Sequence, residues 1–174
     1  MNTVILNGSP RKGNTQTAIQ ALKEQATGKL EVIHLKDKNI APCDACDGCK
    51  ATGSCVHSED TNEIIEKVAA ADCIIFATPV YWWGVSAQLK LALDKFYSRS
   101  EALKKKTKKI GIIAIGEDTL DGPQYDLISK QFRCICEYLN WELVLDQAIC
   151  AGGPEDLSKD KAQLEKLSHW GQQL

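Results

Sequence analysis

Short apolar runs alternate with amphipathic segments along the whole chain. The runs are rich in Val, Ile and Leu, which is typical of strands that are buried on both faces of a sheet. They predict the strands TVILNG, LEVIHL, CIIFATPV, IGIIAIG and WELVLDQAIC. The segments between them repeat apolar residues at helical spacing. They predict five helices. Two lie over about residues 15–26 and 86–97, and a third begins with a capping box at Asp60 and Glu63. A fourth begins at Pro123, and the last begins at about Glu155.

Strands that are each followed by a helix predict a parallel sheet with helices on both faces, because parallel strands need right-handed crossover connections. The sequence therefore predicts one three-layer α/β domain over residues 1–174, with no linker or repeat that marks a second domain. In such sheets ligands bind beyond the carboxyl ends of the strands. We expect function in the loops that follow Leu6, Ala77 and Ile115, and also consider the loop after Leu35.

Composition narrows the classes of protein. A chain of 174 residues can bury a large core without disulfides. Its N-terminus lacks a signal-peptide pattern, and no apolar stretch approaches the ~20 residues of a membrane span. With a net charge of −2, the chain is not expected to bind nucleic acid or membranes, and we expect a cytoplasmic protein. The basic run at residues 104–109 predicts a solvated helix end, and Cys73, Cys134, Cys136 and Cys150 are expected to pack in the core.

The loop NGSPRKGNT, between the first strand and the first helix, has the groups that an anion needs. Ser9 and Thr15 supply hydroxyls, Arg11 is a cation, Gly13 is flexible, and Asn14 is expected to cap the helix. Backbone N–H groups at residues 15 and 16 would be free donors at the positive end of the helix dipole. The loop therefore favours a phosphate site, with an ordinary turn and helix cap as the alternative.

The loop TPVYWWGVSAQLK carries three adjacent aromatic residues beyond the third strand, Tyr81, Trp82 and Trp83. Large aromatic side chains on a loop are costly to leave in water, and a planar ring stacked on them would bury that surface. Covering the core or forming a subunit interface are the alternatives. Together with a neighbouring phosphate loop, the aromatic loop indicates a mononucleotide cofactor with an aromatic head.

These two motifs and the order of the elements resemble the flavodoxin-like NAD(P)H-dependent FMN reductases, over essentially the whole chain. The resemblance implies a flavodoxin-like doubly wound sheet with strand order 2-1-3-4-5, and assembly as a homodimer or homotetramer with the flavin near the subunit contact. It implies that the FMN phosphate is held by Ser9, Arg11, Asn14, Thr15 and Gln16. It implies that the flavin ring is wrapped by Pro79, Val80, Tyr81, Trp82, Trp83 and Gly84, with Gly116 and Glu117 on its other side.

The segment PCDACDGCKATGSCVH, residues 42–57, places four cysteines at the spacing C-x2-C-x2-C-x5-C: Cys43, Cys46, Cys49 and Cys55. The first three reproduce the run that ferredoxins use for iron-sulfur clusters, while the fourth departs from that pattern. Gly53 gives the chain freedom to curl back towards the first three. The arrangement resembles that of the iron-sulfur flavoproteins, a branch of the same FMN family, which implies a 4Fe-4S cluster bound by these cysteines. Zinc held by three of them with Cys55 or His57, free redox-active thiols and disulfides are the alternatives.

The main hypothesis is an FMN-dependent oxidoreductase that takes a hydride from NAD(P)H, bound transiently, and passes electrons to a small-molecule or protein acceptor, either directly or through a 4Fe-4S cluster. No general base is required. The rival hypotheses are a non-enzymatic flavodoxin-like electron carrier and a zinc-stabilised interaction module with a vestigial flavin site.

Overall fold

The chain forms a single parallel β-sheet covered by helices on both faces. The structure is a computed structural model, and it describes residues 1–57 and 59–174. The strands of the described residues are β1 (Asn2–Asn7), β2 (Lys29–His34), β3 (Cys73–Pro79), β4 (Lys109–Gly116) and β5 (Glu142–Cys150). They pair in the order β2-β1-β3-β4-β5, and every pair is parallel. The predicted fold class and strand order are confirmed.

The helices follow the strands as the crossover rule requires. They are α1 (Asn14–Gln25), α2 (Gly48–Thr52), α3 (Thr61–Ala70), α4 (Ala87–Lys95), α5 (Ser100–Leu103), α6 (Pro123–Leu139), α7 (Asp156–Lys159) and α8 (Lys161–Gly171). Residues of α1, α7 and α8 form one core with the sheet, and residues of α3, α4 and α6 form the other core on the opposite face. No described helix is both long and apolar enough to cross a membrane.

Two predicted helix details are wrong because the side chains concerned make other hydrogen bonds. The final helix is split at Asp160, whose carboxylate accepts the N–H of Gln163 at 3.0 Å and so begins a new helix. The capping box at the start of α3 does not form, since the Asp60 side chain makes no cap bond. Its carboxylate accepts the N–H of Asn39 at 2.8 Å instead, which ties the segment after β2 to the start of α3.

The basic run before β4 is only partly the solvated helix end that the sequence predicts. Lys108 is 1% exposed, and its ammonium donates to the carbonyl oxygens of Ala69 and Ala71, both at 2.6 Å. Burial lowers the pKa of Lys108 to about 8. These carbonyls belong to the end of α3, where the last carbonyls lack helical partners, so Lys108 satisfies them.

The isolated cysteines divide between core and surface. Cys73 and Cys136 are buried, as predicted, and burial raises the pKa of each thiol to about 11. Cys134 and Cys150 are exposed, so the prediction that they pack in the core is wrong. Cys134 falls on the solvent side of α6, and Cys150 is the last residue of the edge strand β5.

Candidate functional site

The loops after β1, β3, β4 and β5 line two adjoining cavities at the carboxyl edge of the sheet. We call this region the strand-end cleft. One cavity, of about 200 Å³, includes Ser9, Arg11, Gly13, Asn14, Thr15, Pro79 and Tyr81 in its lining. The other, of about 350 Å³, includes Trp82, Trp83, Asp118 and Gln124. Val80, Gly116 and Glu117 line both cavities, so an elongated ligand can occupy both.

Backbone hydrogen bonds of the sheet continue into these loops and fix where each one begins. The N–H of Gly8 donates to Ala77 at 2.8 Å, and the N–H of Val80 donates to Ile115 at 2.7 Å. The N–H of Ala151 donates to Gly116 at 2.7 Å. The positions of the loops therefore follow from the parallel register of the strands.

The anion site predicted from the first loop lies at the start of α1. This helix has twelve residues and begins directly after Gly13, so its first N–H groups point out of the helix without intrahelical partners. Thr15 is 3% exposed and lines the smaller cavity. A buried hydroxyl beside free N–H groups at a helix N-terminus is suited to an oxyanion such as phosphate.

Asn14 has a different role from the cap that the sequence predicts. Its side chain makes no cap bond, and the helix is preceded by Gly13 in an extended conformation. The Asn14 amide donates to the carbonyl of Gly153 at 2.7 Å, and its oxygen accepts the N–H of Leu157 at 3.1 Å. Asn14 therefore holds the loop after β5 against the cavity.

The remaining residues of the first loop divide between the cavity and the scaffold. Ser9 and Arg11 line the smaller cavity, and the Ser9 hydroxyl donates to the carbonyl of Arg11 at 2.9 Å. The Gln16 side chain is turned away, because its oxygen accepts a hydrogen bond from Asn7 at 3.3 Å. Gln16 can therefore reach an anion only through its backbone N–H.

The aromatic residues after β3 form a tight turn, Tyr81–Gly84, which we call the aromatic turn. The N–H of Tyr81 donates to Gly84 at 2.9 Å, and the N–H of Gly84 donates back to Tyr81 at 3.1 Å. The two central residues, Trp82 and Trp83, have φ angles of 51° and 61°. Left-handed conformations of this kind cost roughly 1–3 kcal/mol each in bulky residues and are concentrated at functional sites.

The aromatic turn places Tyr81 at the smaller cavity, and Trp82 and Trp83 at the larger cavity and towards solvent. Trp82 is 92% exposed and Trp83 is 50% exposed, and their rings meet edge to face with centroids 5.4 Å apart. Both tryptophans line the larger cavity, whereas Gly84 lines neither cavity and closes the turn. The turn therefore offers an exposed aromatic surface next to the anion site.

Gly116 and Glu117 lie at the end of β4, on the side of the cleft opposite the first loop. A Cβ atom on Gly116 would come within 2.8 Å of the Tyr125 hydroxyl and 3.2 Å of Val80. A glycine is required here because these neighbours approach so closely. The Tyr125 hydroxyl donates to the carbonyl of Asp118 at 3.0 Å and lies 3.2 Å from the carbonyl of Ile149, which holds the loop after β4 in place.

Sequence reasoning missed Gln124, the second residue of α6, which lines the larger cavity. Its side chain is 2% exposed, yet neither its amide oxygen nor its amide nitrogen has a hydrogen-bond partner. Leaving such a group unpaired costs about 1–3 kcal/mol. A ring with adjacent carbonyl and N–H groups, such as the flavin ring, would satisfy both atoms. The cleft therefore fits FMN, with an anion site at one end and an aromatic, hydrogen-bonding site at the other.

The cysteine loop, residues 42–57, lies outside the strand-end cleft and is built around its own small cavity. Cys43, Cys46, Cys49 and Cys55 all line this cavity, whose volume is about 30 Å³. All are free thiols. Among the described residues, no three of these sulfurs lie within 4.8 Å of one another, as the ligands of a single zinc ion would. Four thiols spread around one space match the donor set of an iron-sulfur cluster, which each cysteine binds through a different iron.

The backbone of the cysteine loop adopts unusual conformations between the thiols. Ala45 and Asp47, which separate the first three cysteines, have φ angles of 56° and 59°. Gly53 has a φ of 69° and ends α2, a short helix that the sequence analysis did not anticipate. These left-handed residues reverse the chain repeatedly, which brings all four cysteines to one cavity.

Side chains from the scaffold hold the cysteine loop at both of its ends. Asn62 of α3 accepts the N–H of Cys55 at 3.0 Å and donates to the Cys55 carbonyl at 2.8 Å. Glu59 accepts the N–H of Ala41 at 2.8 Å and forms an ion pair with Lys95 of α4 at 2.5 Å. The sequence analysis missed Asn62, Glu59 and Lys95 as supports of the loop, because most of their contacts join segments far apart in the chain.

A second set of ligand atoms lies at the surface of the loop. The His57 Nε2 atom is 3.6 Å from the Cys46 sulfur and 3.3 Å from the Asp44 carboxylate. Hydrogen bonds from Cys46, and then from His57, hold the pKa of Asp44 below its usual value. Asp44, Cys46 and His57 are all exposed and close enough together to share one metal ion.

Comparison with known proteins identifies the family. Residues 1–132 match the NADPH-dependent FMN reductase family. The chain belongs to this family. It is 30% identical to a putative NAD(P)H-dependent FMN-containing oxidoreductase of Bacillus subtilis over 97% of this chain and 95% of that protein. The NADPH-dependent FMN reductase family implies a flavin, in agreement with the fit of the cleft.

Two further comparisons concern the similarity of the chain to iron-sulfur flavoproteins and its fold. The chain is 36% identical to an iron-sulfur flavoprotein of Methanocaldococcus jannaschii over 71% of this chain and 66% of that protein. It spans about half to two thirds of the length of the curated iron-sulfur flavoproteins that it matches. The solved structure of a Trp repressor binding protein of Bacillus subtilis superposes with a TM-score of 0.69 and 21% identity, covering 98% of this chain and 96% of that one. This supports the flavodoxin-like fold.

Proposed function

We propose that the protein is an FMN-dependent oxidoreductase that oxidises NAD(P)H and delivers electrons to an acceptor through a 4Fe-4S cluster in the cysteine loop. The single observation that carries the proposal is the pairing of two built sites on one domain. One is a cleft with an anion site and an exposed aromatic surface, and the other is a cavity lined by four thiols.

The residues of the cleft would bind and orient FMN. The free N–H groups at the start of α1, with Thr15, Ser9 and Arg11, would hold the phosphate. The aromatic turn and Val80 would cover the ring, while the buried amide of Gln124 would donate to and accept from its polar edge. When bound, FMN accepts a hydride from NAD(P)H and can release its electrons one at a time, as an iron-sulfur cluster requires.

The openness of the aromatic turn supports transient binding of NAD(P)H. Trp82 is almost fully exposed, and the larger cavity opens beside it. A nicotinamide ring could therefore reach a flavin in the cleft from the solvent side. The same exposed aromatic surface supports assembly as a homodimer or homotetramer, because such patches are costly to leave in water.

Two chemistries are consistent with the cysteine loop, and the four-thiol cavity favours the cluster. Cys43, Cys46, Cys49 and Cys55 would be its ligands. Zinc is the second candidate, because His57 lies 3.6 Å from the Cys46 sulfur and can supply a nitrogen ligand. A zinc centre would stabilise the loop without carrying electrons.

Anaerobic steady-state kinetics test the enzymatic proposal. Protein reconstituted with FMN, iron and sulfide is expected to oxidise NADH or NADPH with ferricyanide or a quinone as acceptor. An absence of turnover with both nicotinamide cofactors, in protein that carries FMN, would contradict the proposal. That result would favour a flavodoxin-like carrier that exchanges electrons only with protein partners.

A further inference from the structure

Two opposite charges are buried together beneath the cysteine loop. The Lys95 side chain is 3% exposed and the Glu59 side chain is 4% exposed, and the ammonium lies 2.5 Å from the carboxylate. In every other ion pair of the described residues, at least one of the two side chains is a third exposed or more. Removing two charges from water costs several kcal/mol per ion before their attraction is counted. This pair therefore requires a specific explanation.

Glu59 is fixed from both ends of the loop. Its carboxylate accepts a hydrogen bond from the N–H of Ala41 at 2.8 Å and another from the hydroxyl of Thr61. Burial alone would raise the pKa of Glu59, but hydrogen bonds from Lys95, Thr61 and Ala41 outweigh it and lower the pKa. Glu59 thus remains a carboxylate and acts as a rigid anchor for the Lys95 ammonium.

The Lys95 ammonium points from this anchor into the cavity of the four thiols. Its Nζ atom donates to the Cys55 sulfur at 3.8 Å, and Lys95 lines the same cavity as the cysteines. Glu59 is not part of that lining, so the positive end of the pair faces the sulfurs.

A purely structural role does not require a cation that faces the thiols. Asn62 already holds the backbone of Cys55 by two hydrogen bonds, and Glu59 already joins the two ends of the loop. Lys108 shows how this fold buries a lysine for structure alone, since its ammonium contacts backbone carbonyls of α3 and faces no sulfur. The position of Lys95 instead places a fixed positive charge against the sulfur ligands.

We propose that Lys95 is a tuning residue for the centre bound by the cysteine loop: its buried ammonium donates to the Cys55 sulfur and raises the reduction potential of that centre. The inference rests on the proposal that the loop holds a 4Fe-4S cluster. Reduction of a cluster by one electron adds one negative charge, which a neighbouring cation stabilises. Net charge and hydrogen bonds to the sulfurs are known determinants of cluster potentials.

The test compares two double variants that each remove one ion pair. Lys95→Met with Glu59→Gln removes the buried pair without leaving an unpaired charge. Lys130→Met with Asp126→Asn is the control, and it removes an exposed ion pair from α6. Both double variants lose one positive and one negative charge, so their net charges are equal. Both proteins are reconstituted anaerobically, checked for iron, sulfide and native circular dichroism, and titrated with dithionite while the cluster is followed by electron paramagnetic resonance.

At a fixed solution potential, the ratio of reduced to oxidised cluster is expected to fall about tenfold in the Lys95→Met, Glu59→Gln protein, which corresponds to 59 mV for a one-electron couple. The α6 control is expected to match the wild type.

If the methionine variant does not retain iron, Lys95→Gln with Glu59→Gln replaces it, because glutamine still fills the space as a neutral group. An iron-loaded variant with the wild-type ratio would overturn the role of Lys95 alone. A wild-type protein that binds no iron would overturn the cluster proposal as well.

Discussion

The strand-end cleft and the cysteine loop are supported in different ways. The loops of the cleft are positioned by backbone bonds that extend the sheet, such as those from Val80 to Ile115 and from Ala151 to Gly116. The cysteine loop is positioned by side chains of α3, α4 and the segment before α3, chiefly Asn62, Lys95 and Glu59. The side chains of Asn14 and Tyr125 also brace two loops of the cleft, but the position of the cleft is set by the backbone register of the sheet. The cysteine loop depends more heavily on a few individual residues.

Loss of a single thiol should have the largest effect of the series, because it should remove the cluster from the cysteine loop and leave FMN bound in the cleft. Cys49→Ala removes one of four ligands, so we expect bound iron and sulfide to fall to background while FMN remains bound. Iron, sulfide and flavin assays on reconstituted protein measure this. Cys134→Ala, which removes an exposed thiol on α6 that does not line the four-thiol cavity, is the control and should leave all three values unchanged. Loss of FMN together with iron, in folded protein, would show that the two regions are not independent.

The anion site of the cleft should respond to a single hydroxyl by a smaller factor. Thr15→Ala removes a buried donor at the start of α1, and a hydrogen bond to a charged group contributes about 1.5–3 kcal/mol. FMN affinity is therefore expected to weaken about tenfold or more, with iron content unchanged. Quenching of FMN fluorescence on binding gives the affinity. Thr27→Ala, beyond the end of α1, serves as the control. An affinity equal to that of the control would place the phosphate elsewhere.

Support of the cysteine loop by side chains should be visible when one of them is shortened. Asn62→Ala removes both hydrogen bonds to the Cys55 backbone, at a cost of about 1–3 kcal/mol. We expect the cluster to be lost to a chelator several times faster than in the wild type, and FMN affinity to be unaffected. The absorbance decay after addition of chelator measures the rate. Glu66→Ala, an exposed residue of the same helix, should decay as the wild type does.

Acid should weaken the support of the cysteine loop through Glu59, with the smallest effect of the series. Because its pKa in the folded chain lies below the ordinary value of 4.5, its contribution to stability is present above pH 4.5. It is lost as the pH falls through the lower, folded pKa. The difference in free energy of unfolding between the wild type and the Lys95→Met, Glu59→Gln variant should therefore shrink from pH 6 towards pH 3.5 in urea titrations of the metal-free protein. A constant difference would mean that Glu59 does not hold its charge.

The same contrast explains how much could be predicted from the sequence. The apolar runs that form β1 to β5 are local signals, and the sheet and its edge followed from them together with the family resemblance. The contacts of Asn14 with Gly153 and Leu157, and the carbonyls that bury Lys108, join residues distant in the chain, so no local pattern indicates them. Gln124 and Lys95 were missed for the same reason, because their importance lies in what surrounds their side chains.

The account predicts two separate cofactors on one chain, and metal and flavin stoichiometry tests that claim most directly. Anaerobically reconstituted protein should contain one FMN, about four iron and about four sulfide per chain, with negligible zinc. A broad absorbance that bleaches on reduction should accompany the flavin bands. One zinc per chain without sulfide, or iron that binds without sulfide, would contradict the account.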